Sequence, residues 1–212
     1  MGRQRTTIQT SSDVTTGKTT LTLKILIATG ALTVGLAGPQ IPNATEAPEI
    51  QPLPVIPYEY SWKCEDCSPE EQYVLKELQE HTKISDRNAL ATIMGNIKQE
   101  SKFIPNICEG GARVSYRDCT RGGYGLIQWT SVGRYNNLGK FCNKYDCDPS
   151  SLEGQTRYMI NESVFQRYLP EFEGRGKTVS QYMVPAYYWL GWGIKGARET
   201  YSYQYTKKLT WS

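Results

Sequence analysis

The stretch LATIMGNIKQESKF, residues 90–103, sets Leu90, Ile93, Met94 and Ile97 at helical spacing and returns Glu100 to the same face. A carboxyl group beside an apolar wall is disfavoured as an anion, so its pKa rises and it can hold a proton near neutral pH. That is the property of a general acid, the group that protonates a leaving oxygen when a glycosidic bond breaks. Ser85 or Asp86 supplies an N-cap for the helix, and Pro105 stops it soon after the acid. Glu100 is therefore expected where a buried face meets a surface, with a pKa above the unperturbed value of about 4.3.

A second stretch, GGYGLIQWTSVGRYNNL over residues 122–138, places three glycines around Tyr124, which permits a tight backbone turn beside a cleft. The run of Gly95 to Ile97, Glu100, Ser101, Phe103 and Pro105, then Tyr124 to Trp129, then Gly133, Arg134 and Leu138, resembles the phage tail lysozyme family. That family belongs to the lysozyme and lytic transglycosylase superfamily, whose members often carry ES on a helix and GLxQ after it. SLEGQTRYMINE, residues 151–162, resembles the helix that follows. The resemblance runs from about Ala89 to Glu162, and more loosely from about Glu70 to about Trp192. It implies a mainly α, lysozyme-like (α+β) domain in which Glu100 corresponds to the catalytic acid, Ser101 to its helix neighbour and Gln128 to the cleft residue of GLxQ. Tyr124 and Trp129 belong to the same motif and join Ser101 and Gln128 as expected substrate contacts. No cofactor and no metal are implied.

The departure from the family pattern is NICEGGARVSYRDCTRG, residues 106–122, a cysteine-bracketed insertion expected to form a loop or small hairpin at the cleft. It carries the two candidates for a second carboxylate, Glu109 and Asp118. An inverting hydrolase needs a base roughly 6.5 to 9.5 Å from the acid and a retaining one a nucleophile at about 5 Å. Exposed loop acids are the plain alternative, and the sugar's own N-acetyl group can then assist, giving the anhydro-sugar product of a lytic transglycosylase. In AYYWLGWGIKGARETYSYQY, residues 186–205, most aromatics are expected in the core, with Tyr187 and Tyr188 as candidate sugar-stacking residues.

The elements that position these residues occupy the later part of the chain. Residues 1–38 are a tail containing LTLKILIATGALTVGLAG, Leu21–Gly38, preceded by Arg3, Arg5 and Lys18. This pattern fits either a cleaved signal or a transmembrane anchor helix. Residues 39–61 are rich in proline and read as an extended spacer, leaving residues 62–212 as the folded domain. Within it, a helix is expected from about Ser150 to Phe165, with Ser150 and Glu153 as a capping box.

All six cysteines lie in that domain as sequence-local pairs, Cys64 with Cys67, Cys108 with Cys119 and Cys142 with Cys147, and disulfides are the expected state. A zinc site lacks ligands, because no second CxxC follows and the only histidine is His81. The same scarcity opposes a cysteine peptidase. No phosphate loop, GxSxG elbow or HExxH helix appears. A net charge of +3 suits an anionic wall polymer and falls short of a nucleic-acid-binding balance.

The sequence thus predicts an enzyme acting on bacterial peptidoglycan, a muramidase-type glycosidase or a lytic transglycosylase, with no nucleic-acid partner. It would be presented by a phage tail, or by a membrane through the N-terminal segment, for wall penetration or host lysis. The rival from another class is a cysteine-stapled, non-catalytic wall-binding virion module, for which Glu100 has no use.

Overall fold

The structure, a computed structural model, describes residues 61–212. The expected tail with its Leu21–Gly38 segment, and the spacer as far as Tyr60, lie outside the described residues. Among the described residues no helix is long and apolar enough to cross a membrane.

The described residues are mainly helical, as expected for a lysozyme-like fold. The helices are α1 (Pro69–His81), α2 (Arg87–Ser101), α3 (Val132–Tyr145), α4 (Leu152–Asn161), α5 (Ser163–Glu173), α6 (Val179–Leu190) and α7 (Arg198–Lys208). Two short strands, β1 (Trp62–Lys63) and β2 (Thr210–Trp211), pair antiparallel with Trp62 opposite Trp211, joining the two ends of the domain. Their indoles meet edge to face at 5.2 Å.

Helix α2 is the axis of the core. Asp86 caps it by accepting from the Asn88 and Ala89 amides, and every residue from Ala89 to Ile97 is buried. The sequence suggested one apolar stripe, yet α7 and α6 cover the remaining faces. Close approach of α7 depends on Gly95, since a Cβ there would lie 2.4 Å from the Ser202 amide nitrogen. The polar side chains enclosed by this packing bond back to their own helix, Thr92 Oγ1 to Asn88 O at 2.7 Å and Asn96 Nδ2 to Thr92 O at 2.8 Å. Their polarity therefore does not mark an exposed face.

The cysteine-bracketed insertion folds as a small hairpin. The Cys108 amide donates to Ala112 O at 2.8 Å and the Val114 amide to Asn106 O at 2.9 Å, with Gly110 and Gly111 turning the chain at positive φ. The Glu109 amide then donates to Gly123 O at 2.8 Å, stitching the hairpin to the next motif. All three expected disulfides are present: Cys64–Cys67, Cys108–Cys119 and Cys142–Cys147.

The helix expected from Ser150 to Phe165 is corrected to two. Ser151, not Ser150, is the N-cap of α4, its hydroxyl accepting from the Gly154 amide at 3.0 Å, and Glu153 pairs with Arg157 instead of closing a capping box. Glu162 breaks the run in extended conformation and begins α5. Its buried carboxylate is committed to Arg134, and helix propensity does not foretell the break.

Candidate functional site

Glu100 lies in the last turn of α2, where the helix leaves the core, and its side chain keeps 15% of its exposure. Burial pushes its carboxyl pKa up, and the opposing pull of Arg198, with a longer-range contribution from Arg134, does not cancel that rise. The direction matches the reading from the apolar stripe. Arg198, at the first position of α7, donates from Nη2 to Glu100 Oε1. Its Nη1 donates to Ile194 O at 2.9 Å and Lys195 O at 2.8 Å, and its guanidinium lies 4.7 Å over the Trp192 ring. Next along the chain, the Ala197 amide donates to Gln99 Oε1 at 2.9 Å, so the last turn of α2 is tied to the start of α7 twice.

The GLIQ motif forms the neighbouring turn. Gly125 and Gln128 take positive φ values of 74° and 51°, and the Trp129 amide closes the turn on Tyr124 O at 2.9 Å. Ser101 joins this turn to the acid's helix, its hydroxyl donating to Leu126 O at 2.7 Å and accepting from the Phe103 amide at 3.1 Å. The chain reverses at once through Lys102 and Phe103, both at positive φ. Gln155 braces the turn from α4, its Oε1 accepting from the Leu126 amide at 2.7 Å and its Nε2 donating to Pro105 O and Pro149 O, each at 2.7 Å.

Three of the residues expected to touch substrate have packing roles in this arrangement. Ser101, Tyr124 and Trp129 are all buried and act as scaffold: Ser101 links two segments, Tyr124 packs among Tyr116 and Tyr135, and Trp129 packs on Tyr158. Gln128 is half-buried, with its Nε2 donating to Gly125 O at 3.0 Å and Ile107 O at 3.3 Å. Tyr187 and Tyr188 are exposed. Tyr187 meets Trp192 edge to face at 5.4 Å, which links it through Trp192 to Arg198 and the acid, whereas Tyr188 stacks on Tyr168 at 5.8 Å.

The two candidate second carboxylates have local employment. Glu109 Oε2 accepts from the Gly123 amide at 2.9 Å and Asp118 Oδ2 from the Ser115 hydroxyl at 2.6 Å. Among the described residues no hydrogen bond or ion pair joins either to Glu100. A buried acid absent from the expected set is Glu162, held in a fork by Arg134 Nε and Nη2 at 2.6 and 2.7 Å. A group with metal-ligating atoms, Glu77, Glu80 and His81, lines one side of α1, where Lys76 pairs with Glu80 at 2.9 Å and His81 Nε2 lies 3.3 Å from Glu77 Oε2. A hollow of about 350 Å³ between α1 and α4 is lined by Tyr73, Glu77, His81, Glu153 and Arg157, and Glu100 takes no part in it.

Sequence reasoning missed Arg198, Trp192, Gln155 and Glu162. Gln155 and Glu162 stand inside the stretch that carries the resemblance, but helical spacing says nothing about what a glutamine or glutamate on α4 will meet. No curated protein and no solved structure matches the chain. The profile of the phage tail lysozyme family matches residues 70–184, more than half of the chain, spanning α1 through the first half of α6 with Glu100 and the GLIQ turn inside it. On that match and on this helical architecture, the chain belongs to the phage tail lysozyme family.

Proposed function

We propose that this domain cleaves the glycan strand of bacterial peptidoglycan with Glu100 as general acid. The family supports a lysozyme-like, wall-acting role in a phage. The observation that carries the finer reading is a carboxyl group largely withdrawn from water, raised in pKa, and held at the rim of the core beside the GLIQ turn. Protonated Glu100 gives its proton to the glycosidic oxygen as the bond to the anomeric carbon breaks, and the bond's electron pair leaves with that oxygen. The carboxylate that forms faces the Arg198 guanidinium. Water completes hydrolysis at the anomeric carbon, or the strand's own hydroxyl closes an anhydro ring, and in either case the proton lost by the attacking O–H returns to the Glu100 carboxylate.

Glu109 and Asp118 are bonded to the Gly123 amide and the Ser115 hydroxyl, and the route in which the sugar's N-acetyl group assists requires neither of them. Tyr187 and Trp192 supply an aromatic ridge for a sugar face. In the whole chain, residues 1–38 would serve as signal or anchor, residues 39–61 as spacer and residues 62–212 as the working domain. This arrangement fits presentation to the wall either from a virion tail or from a membrane.

Because the working form is protonated, activity falls as pH rises through the elevated pKa of Glu100. The test is turbidity clearing of peptidoglycan by Glu100→Gln alongside sedimentation binding to the same walls. Binding retained with clearing abolished supports the enzyme reading. Clearing by the Gln variant at the unaltered protein's rate would remove Glu100 as the acid, whereas wall binding without clearing by the unaltered protein would leave the wall-binding module as the better description.

A further inference from the structure

Helix α7 lies beyond the segment that matches the family profile, which ends at residue 184. It is nevertheless the main partner of the acid's helix. Gly95 admits Ser202 to close contact, Ser202 Oγ donates to Arg198 O at 2.8 Å, and Arg198 is 5% exposed. Before it meets Glu100, the guanidinium is already held by the Ile194 and Lys195 carbonyls on one side and the Trp192 ring on another. A group fixed in this way is pre-organised, and it orders whatever it bonds to.

We infer that Arg198 is the positioning residue of Glu100: it fixes the carboxyl's rotamer at the rim of the core and steadies the carboxylate left after proton delivery. This rests on the reading of Glu100 as the acid. The segment from Trp192 to Arg198, outside the family match, is then a working part of the site rather than a trailing extension. The charged groups around Glu100 leave Arg198 as the decisive one. Arg134 of α3 is forked to Glu162, Lys98 of α2 is bound to Glu71 of α1, and Lys195 is bound to Glu199 of α7. From α5, Glu171 pairs with Lys177 and Glu173 accepts the Lys83 amide, and α6 offers only tyrosines as titratable groups.

The experiment is a set of pH–rate profiles on the full chain for the unaltered protein, Arg198→Met, Arg198→Lys and Glu100→Gln, with the folded state of each verified by near-ultraviolet circular dichroism. Removing a cation that touches a carboxyl group raises that group's pKa by about 1 to 3 units. Arg198→Met is therefore expected to move the alkaline limb up by at least about one unit while kcat falls on the order of a hundredfold, the cost of about 1 Å of misplacement. Arg198→Lys keeps the charge but loses the second nitrogen that ties the guanidinium to Ile194 O and Lys195 O, so the limb stays near its original position while kcat falls about tenfold. A folded Met variant with an unmoved limb would overturn the inference. If the Met variant does not fold, a Lys variant with unaltered kcat and limb overturns it instead. An active Glu100→Gln defeats the acid reading itself, whereas an inactive one combined with normal Arg198 variants defeats only the role of Arg198.

Discussion

Replacing Gln155 with Leu removes one side chain and unmakes the support of the GLIQ turn. Gln155 is fully buried and its amide makes three bonds, accepting from the Leu126 amide and donating to Pro105 O and Pro149 O, each at 2.7 Å. Leucine matches the volume but leaves one buried N–H and two carbonyls without this partner. An orphaned buried group costs about 1 to 3 kcal/mol, and carbonyls tolerate neglect better than amides, so the total is about 2 to 5 kcal/mol. The loss should reach the site, because Leu126, whose amide Gln155 holds, is also the residue whose carbonyl accepts from Ser101, next to the acid. Gln155→Glu is a sharper variant, since it can still accept from Leu126 but turns a carboxylate oxygen toward two carbonyls. Urea unfolding under non-reducing conditions, paired with turbidity clearing, gives both readouts. A loss below about 0.5 kcal/mol with full activity in the Leu variant would refute the brace.

Three further outcomes follow from the packing. The buried Glu71 carboxylate suffers desolvation, but bonds from Lys98, Tyr205 and the Ser68 amide outweigh it and hold its pKa below the usual carboxylate range. Its contribution is full above the unfolded pKa and is lost as pH falls through the folded one, so Glu71→Gln should cost on the order of 3 kcal/mol at neutral pH and progressively less in acid. Thermal melts across that range check the sign, and a constant gap would contradict it. Gly95→Ala, which in an open helix would gain about 1 kcal/mol, should instead destabilise by about 1 to 3 kcal/mol because its methyl meets Ser202. A stabilised Ala variant in a denaturant melt would count against the α2–α7 contact. Peptide mapping of the oxidised protein should join Cys108 to Cys119, and selective reduction should cost about 2 to 3 kcal/mol, with hydrogen exchange rising in the hairpin more than in α2. Free thiols at those positions would remove that expectation.

What could be read from the sequence was local. The stripe ending in Glu100, the Asp86 cap and the three close cysteine pairs each lie within a short window, where helical period or proximity carries the signal. The raised pKa of Glu100 was legible for the same reason. Its partner was not, because Arg198 lies 98 residues later and α7, RETYSYQYTKK, has no apolar stripe to announce that it is packed. The burial of Ser101, Tyr124 and Trp129 was not legible, because a motif fixes which residues are present, not which way a tight turn points them. The turn spends its residues on closing itself against Gln155 and α2, and leaves Gln128 half-exposed.

The most direct test of Glu100 as a glycan-cleaving acid is mass analysis of the fragments released from purified peptidoglycan by the unaltered protein and by Glu100→Gln. New sugar ends, hydrated for a hydrolase or anhydro for a transglycosylase, should appear with the unaltered protein and be absent with the Gln variant. Fragments bearing only newly cut peptide ends, or the same sugar ends from both proteins, would contradict it.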